Sequence, residues 1–267
     1  MRPPNQRSSG KPVFSFSKGV LLALGLLLLT TSCSRVQHLA KVDYTHYELA
    51  SDTSNQAQVE ALIAPYKQQL DAEMHEVIGH CAETLTKRKP ESTLGNWICD
   101  LIERHAAEHL GGPVDFAVQN YGGIRVGSLP AGPVRMVQMY DLMPFENRIV
   151  VLHMTGADLQ EFLDHMAASD GWPVSKSLRY VVENDKAINV EIGGAPLDPD
   201  RVYHFALPDY IANGGDSCFF LMDQPRDELP YLVRDAITDE VRRLSKQGLP
   251  ITAALDGRIT LANQDQQ

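Results

Sequence analysis

The sequence has few basic residues, and this shortage excludes one class of partner. Lys and Arg number 24 against 34 Asp and Glu, which gives a net charge of −10 over 267 residues. Residues 1–32 hold four of the basic residues and no acidic one, so the remainder carries −14. Because nucleic-acid binding needs a basic face to neutralise phosphates, we expect no nucleic-acid partner.

Cysteines are also scarce, and no pattern for a serine nucleophile is present. Besides Cys33, only Cys81, Cys99 and Cys218 occur, and their wide spacing is not that of a zinc site. We expect these three to be small buried residues, with a Cys81–Cys99 bridge as the alternative. A Gly-x-Ser-x-Gly turn, which would present a nucleophilic serine, is missing.

The one long apolar run lies near the N-terminus. It covers residues 19–29, follows a basic stretch, and is too short for a comfortable membrane span. Small residues then precede Cys33, as in a bacterial lipobox. We predict a lipoprotein signal peptide over residues 1–33 with Cys33 as the lipidated residue, and a polar tether over residues 34–54. Plain secretion and an uncleaved anchor are the alternatives. The predicted location is the cell envelope, lipid-anchored, with a lean toward the outer membrane.

Apolar periodicity predicts a mixture of helices and strands over residues 55–262. The predicted helices cover residues 55–74, 93–110, 155–167 and 228–246. The predicted strands lie within residues 77–85, 114–118, 147–154, 178–182, 188–192, 202–207 and around Ile259. Residues 134–141 fit either a short helix or a strand. Because helices and strands do not alternate strictly, we predict an α+β fold in a single domain.

Four short motifs between residues 88 and 216 carry the functional signal. They are Glu91-Ser92-Thr93-Leu94-Gly95-Asn96, Asn120-Tyr121-Gly122-Gly123-Ile124-Arg125, Met143-Pro144-Phe145-Glu146-Asn147 and Asp209-Tyr210-Ile211-Ala212-Asn213-Gly214-Gly215-Asp216. In this order they resemble the C-terminal, substrate-binding domain of the bacterial and animal 5'-nucleotidases, the UDP-sugar hydrolase family. The resemblance covers roughly residues 55–225.

The resemblance implies a set of substrate-binding residues. They are Arg88, Asn120, Gly122, Gly123, Arg125, Phe145, Tyr210 and Asp216. The paired glycines would take positive φ angles and let the loop approach a ligand. Arg125 and Arg88 would grip phosphate with their forked donors, although Lys87 or Lys89 could serve in place of Arg88.

The base and the sugar would be bound by other members of the set. Phe145 and Tyr210 would clamp the flat faces of a nucleobase, and Asp216 would accept hydrogen bonds from the ribose hydroxyls. Each has a structural alternative, because a lone aromatic residue is usually core and an aspartate often caps its own turn.

The chemical half of such an enzyme is missing from these 267 residues. Full-length members carry an N-terminal two-metal domain with Asp-x-His and Gly-Asn-His-Asp/Glu signatures, and neither occurs here. We therefore expect this chain to have no catalytic residue, metal site or cofactor and to be inactive alone. A separately encoded metallophosphatase subunit would hold the divalent metal ions. The alternatives are a stand-alone nucleoside- or nucleotide-binding envelope lipoprotein and a zinc hydrolase using His105 and His109.

Overall fold

A computed structural model describes residues 56–262 of the chain. Its helices are α1 (Gln56–Met74), α2 (Thr93–Leu110), α3 (Met136–Leu142), α4 (Gly156–Ala167), α5 (Asp209–Ala212) and α6 (Val233–Lys246). Its strands are β1 (Val77–Cys81), β2 (Leu85–Thr86), β3 (Phe116–Ala117), β4 (Ser128–Leu129), β5 (Gly132–Arg135), β6 (Arg148–Thr155), β7 (Leu178–Glu183), β8 (Lys186–Ile192), β9 (Ala195–Pro196), β10 (Val202–Pro208), β11 (Arg226–Leu232) and β12 (Ile259–Leu261). The predicted α+β class is confirmed.

A four-stranded sheet with the order β11-β6-β10-β3 forms the middle layer. β6 pairs antiparallel with β10 and β11, and β3 pairs parallel with β10. Alternate side chains of β6 enter two different cores: Ile149 and Val151 face one, and Val150 and Leu152 face the other. Because successive residues of a strand point to opposite faces, this continuous apolar run indicates a strand covered on both sides.

The two cores contain different elements. One takes buried residues from α2, α3 and α6, and the other takes them from α4 and from the second sheet, whose order is β12-β7-β8-β9. α4 begins where the sequence predicts, because the side chain of Thr155 accepts a hydrogen bond from the backbone N–H of Asp158. Cys81, Cys99 and Cys218 are buried free thiols, as expected, and Cys81 and Cys99 are not bridged.

Two predicted elements differ in the structure. Residues 134–141, which fit either structure, contain both: β5 ends at Arg135 and α3 begins at Met136. The helix predicted from Glu228 begins only at Val233, because residues 226–232 form the edge strand β11 against β6. Pro230 explains the difference, since proline lacks the N–H that a helix needs but is tolerated in an edge strand.

The register of the middle sheet brings three loops to one edge. Phe205 pairs with Phe116 in the parallel pair, so the carboxyl ends of β10 and β3 lie on the same side. Pro208 pairs with Ile149, so β6 starts at that same edge. The loops after β3, before β6 and after β10 therefore converge, although they are far apart in the sequence.

Helix α1 differs from the others because it has no buried face. Its residues 57–73 are all exposed, although the apolar spacing predicts an amphipathic helix. Among residues 56–262, no helix is both long and apolar enough to cross a membrane. The predicted signal peptide, Cys33 and the tether lie outside the described residues.

Candidate functional site

A cavity of about 240 Å³ opens where the three loops converge. Its lining residues are Asn120, Gly122, Gly123, Arg125, Phe145, Asn147, Tyr210 and Asp216. Seven of these are predicted substrate-binding residues, and Arg88 is the predicted one that does not line the cavity. The structure therefore brings together residues from three of the four motifs, and their individual roles stay predictions.

Asp216 is held by two other lining residues rather than by its own turn. Its Oδ2 accepts a hydrogen bond from Asn120 Nδ2 at 2.6 Å, across 96 residues of sequence, and its Oδ1 accepts one from the Tyr210 hydroxyl at 3.1 Å. Its backbone has a φ of 50°, in the left-handed region. An ionised carboxylate has about four acceptor positions. Two of them therefore stay available for hydroxyl donors of a ligand.

The paired glycines shape the loop in a different way from the predicted one. Gly122 and Gly123 form a short 3₁₀ turn, and neither has the positive φ expected from the sequence. The positive-φ prediction is wrong for this pair. Gly123 instead packs closely, because a Cβ there would come within 2.1 Å of Gln119 Nε2 and 2.5 Å of Asn120 Oδ1, and these side chains would have to move. Gly215 is the stricter case, since a Cβ there would collide with the backbone oxygen of Tyr210 as well as with its ring.

Both predicted aromatic residues are too exposed to be core residues. Phe145 is 38% exposed and Tyr210 is 45% exposed, and both rings line the cavity. The carbonyl oxygen of Phe145 faces the buried guanidinium of Arg234 at 3.4 Å, at the limit of a hydrogen bond. Arg234 in turn stacks over the ring of Tyr140, with its Cζ 4.5 Å from the ring centroid. Arg234 of α6 thus contacts the loop that carries Phe145.

One cation, Arg125, lines the cavity, and two lysines lie near the loop that carries it. Arg125 is exposed, and its Cζ lies 5.7 Å from the centroid of the Phe145 ring. Lys87 donates to the carbonyl oxygen of Ile124 at 2.7 Å and lies 3.9 Å above the ring of Tyr121. Partial burial, and then the charges of Arg125 and Lys89, lower the pKa of Lys87. The lysine is therefore held close to the loop, in a cluster of like charges.

The other two residues of the basic loop, Arg88 and Lys89, are placed less favourably for contact with a phosphate. Arg88 is exposed and, like Lys87 and Lys89, lies outside the cavity lining, so its predicted phosphate contact stays a prediction. Lys89 lies 5.1 Å from the centroid of the Tyr121 ring and donates to the carbonyl oxygen of Ser169. Of the three candidates in this loop, Lys87 is the one whose side chain has a hydrogen bond to the segment that carries Arg125.

Sequence reasoning missed one lining residue, Asn147. It ends the motif that contains Phe145 and stands immediately before β6, so its amide faces the same cavity. An amide offers both donors and acceptors to a ligand with a polar edge. The signal that could have identified it is its position two residues after Phe145, at the start of a buried strand.

A larger cavity of about 480 Å³ lies between α2, α6 and the segment before β12, and most of its charged side chains are paired with one another. Arg258 bonds both Asp100 and Asp256. Glu240 contacts Arg104 at 2.7 Å and Arg243 at 2.8 Å. Such a self-paired set leaves little unmatched charge for a ligand.

The pKa of Glu240 follows from this pairing. Burial of the side chain raises it, but hydrogen bonds and charges from neighbouring groups outweigh burial and lower the pKa to about 2. His105 Nε2 lies 3.8 Å from the carboxylate, longer than a hydrogen bond, so we attribute the lowering to Arg104 and Arg243.

The two histidines of the zinc-hydrolase alternative are used in packing. His105 is buried, and His109 stacks on Tyr231 with ring centroids 4.2 Å apart. One ring nitrogen of His109 is within 2.8 Å of the carbonyl oxygen of His105. In the part of the chain that the structure describes, no group of three His, Cys, Asp or Glu side chains could hold a metal ion.

Comparison with known proteins identifies the family. The family described as 5'-nucleotidase, C-terminal domain, matches residues 77–223, which is more than half of the chain. This range contains all eight predicted binding residues and the whole cavity lining. The chain belongs to this family, as the motifs predict.

Relatives support the same assignment. The UshA protein of Yersinia enterocolitica is 28% identical over 244 residues, which cover 86% of this chain and 41% of that protein. A 5'-nucleotidase of Vibrio vulnificus is 37% identical over 106 residues, covering 38% of this chain and 19% of that protein. A 5'-nucleotidase precursor from Thermus thermophilus has a solved structure that matches with a TM-score of 0.66 at 28% identity, covering 79% of this chain and 44% of that one. The chain thus spans less than half the length of these relatives.

Proposed function

We propose that this chain is the substrate-binding half of a 5'-nucleotidase-type phosphohydrolase in nucleotide catabolism. One observation carries the proposal: a single cavity gathers seven of the eight residues that the family motifs predict to bind a nucleotide. These residues come from three loops that are distant in sequence, so their convergence is not a consequence of local spacing.

The base is expected between or against the two exposed aromatic rings. A nucleobase is a flat apolar disc, and each stacked ring contributes roughly 1–3 kcal/mol in single-strand nucleic-acid binding. Phe145 and Tyr210 are exposed enough to offer ring surface to a ligand. Asn147 supplies an amide at the same cavity that can pair with the edge of a base.

The polar groups of the site indicate where the sugar and the phosphate of a nucleotide would bind. Asp216 is the acceptor for ribose hydroxyls, with Asn120 and Tyr210 fixing its two oxygens. The cavity volume, about 240 Å³, is below the roughly 300–1,000 Å³ of sites for drug-sized ligands. The volume therefore suits a base with its ribose, and leaves the phosphates outside, beside Arg125 and Lys87.

The hydrolytic chemistry belongs, in this proposal, to a separately encoded metallophosphatase subunit. That subunit would hold the divalent metal ions, which supply a polarised water for attack on phosphorus. This chain would orient the nucleotide and leave its phosphates accessible at the mouth of the cavity. Without the partner we expect it to bind nucleotides and to release no phosphate from them.

The proposed location is the cell envelope, with the chain anchored by lipid at Cys33. The support is the sequence alone: an apolar run, then small residues, then a cysteine. Metabolic labelling with palmitate should mark the wild-type chain and not a Cys33→Ala variant. Equal labelling of both would overturn the lipid anchor without touching the binding proposal.

Calorimetry on the purified full chain tests the binding site. We expect adenosine and AMP to bind, and Phe145→Ala and Tyr210→Ala each to weaken adenosine by about 5- to 150-fold, from roughly 1–3 kcal/mol per ring. Phe219→Ala is a matched control, because this ring is more exposed and does not line the cavity. Thermal melts must first show that the variants are folded. Wild-type affinity in a folded Tyr210→Ala protein would refute the site.

A second experiment separates the split enzyme from a stand-alone binding protein. Native envelope material is captured through the tagged full chain, and phosphate release from AMP and UMP is measured before and after metal chelation. Chelator-sensitive activity that appears only with a co-captured protein supports the split enzyme. Nucleotide binding with no associated activity would favour a binding lipoprotein, and metal-dependent turnover by this chain alone would refute both.

A further inference from the structure

Within residues 56–262, helix α1 has no face packed against the rest of the domain. All of its residues from 57 to 73 are exposed, and the chain meets the rest of the domain around the end of the helix. There the carbonyl oxygen of His75 accepts a hydrogen bond from Arg135 at 2.8 Å, and that of Glu76 accepts one from the backbone of Met136 at 3.0 Å. Isolated helices shorter than about 12–15 residues are marginal in water. Pro65, which costs roughly 3 kcal/mol in a helix interior, divides the 19 residues of α1 into two shorter stretches. The helix therefore needs to pack against another apolar surface to be stable.

The exposed apolar side chains form a row along one side of α1. They are Val59, Leu62, Ile63, Tyr66 and Leu70, and each is between 47% and 74% exposed. Together they present on the order of 600 Å², the upper end of what a monomeric protein exposes in one patch. Two such patches against each other would bury on the order of 1,200 Å², the lower end of a standard stable interface.

Four of these residues have the spacing of a coiled-coil seam. Val59, Ile63, Tyr66 and Leu70 are separated by four, three and four residues, which is the alternation of the d and a positions of a heptad. This spacing reads the same in both chain directions, with its centre between residues 64 and 65. Pro65 falls at an outer heptad position, where the lost helical hydrogen bond leaves the seam intact.

We propose that α1 is a dimerisation element that pairs antiparallel with α1 of a second copy of this chain. A two-fold axis through the centre of the seam would set Val59 against Leu70 of the other copy, and Ile63 against Tyr66. The four seam residues are then all covered in one register.

Disulfide cross-linking between two differently tagged full-length copies tests the orientation. One copy carries Val59→Cys and the other Leu70→Cys, positions that are 53% and 54% exposed and so equally accessible. In native membranes we expect the mixed dimer between the two tags to be the dominant cross-linked species. Gln68→Cys is the matched control, because it is exposed on the same helix but lies outside the seam, and it should cross-link weakly.

Each other outcome overturns the proposal in a recognisable way. Same-tag dimers through Val59→Cys alone would indicate a parallel pair. A cross-link to a different protein would indicate that a partner covers the seam. Absence of any cross-link, with both seam cysteines labelled by maleimide as fast as Gln68→Cys, would show a solitary helix.

A charge placed in the seam gives an independent readout. Ile63→Glu should convert the dimer to a monomer in light scattering of the detergent-solubilised full chain. Gln68→Glu adds the same charge outside the seam and should leave the dimer intact. Because every residue from 57 to 73 is classed as exposed, neither change should lower the melting temperature of the domain. A dimer that persists in Ile63→Glu would refute the seam.

Discussion

The hydroxyl and the ring of Tyr210 make separate contributions that substitution can resolve. The ring lines the cavity, while the hydroxyl donates a hydrogen bond to Asp216 at 3.1 Å. Asn120 is the second side chain that donates to that carboxylate. Tyr210→Phe keeps the ring and removes the hydrogen bond. Tyr210→Ala removes both. The two variants therefore act on different parts of a nucleoside.

The expected magnitudes differ accordingly. A hydrogen bond contributes about 0.5–1.5 kcal/mol net, so Tyr210→Phe should weaken adenosine by about 2- to 12-fold. It should leave free adenine unchanged, because adenine has no ribose for Asp216 to bind. Tyr210→Ala loses the stacking as well, so it should weaken adenine and adenosine alike by at least the 5-fold expected for a ring, at roughly 1 kcal/mol or more.

Calorimetry with adenine and adenosine on folded wild-type, Tyr210→Phe and Tyr210→Ala proteins measures both effects. If Tyr210→Phe binds adenosine with wild-type affinity, the hydroxyl does not position Asp216 for the ribose. If Tyr210→Phe weakens adenine as much as adenosine, the hydroxyl acts on the base or on the loop. In either case the link from Tyr210 through Asp216 to the sugar is refuted.

Three further predictions concern individual charges. Asp216→Asn should weaken adenosine by roughly 10- to 150-fold in calorimetry and spare adenine, because hydrogen bonds to charged groups contribute about 1.5–3 kcal/mol; equal losses for both ligands would contradict this. Arg125→Ala should weaken the binding of AMP relative to that of adenosine by roughly 2- to 5-fold, because exposed charge pairs contribute at most about 1 kcal/mol. Arg88→Ala should have a smaller effect. A larger effect of Arg88→Ala would assign the phosphate contact to Arg88. The pKa of Glu240, lowered to about 2, is below that of an unfolded glutamate, so its stabilisation is complete above the unfolded value and is lost as pH falls toward 2. Melting temperatures between pH 6 and pH 2 should therefore fall less steeply for Glu240→Gln than for wild type, and parallel curves would disprove the linkage.

Much of the fold could be predicted because periodicity and capping are local properties. The Thr155 cap and the apolar run of β6 are both visible in the sequence, and both elements occur where expected. The start of α6 could not be predicted from its charged periodicity, because pairing of residues 226–232 with β6 overrides the helical pattern. Pro230 is the residue in the sequence that argues against a helix beginning at Glu228.

The candidate site could be predicted as a set of residues, but its internal contacts could not. The motifs give the members, whereas the bonds from Asn120 and Tyr210 to Asp216 depend on the sheet register that joins three distant loops. The same limit applies to Gly123. A glycine pair suggests a positive φ, but only the packed neighbours reveal that a Cβ at Gly123 would displace the side chains of Gln119 and Asn120.

The basic loop shows most directly why composition alone does not identify a ligand contact. Lys87, Arg88 and Lys89 are consecutive and cationic. The sequence therefore distinguishes them as phosphate ligands only by which position matches the family motif. In the structure, Lys87 donates to the carbonyl oxygen of Ile124 and is thereby attached to the segment that carries Arg125, while Arg88 is exposed to solvent. A phosphate at the mouth of the cavity would need donors held in place before it arrives, because an unrestrained side chain loses conformational freedom on binding. The lysine that is already held satisfies this requirement better than the exposed arginine beside it.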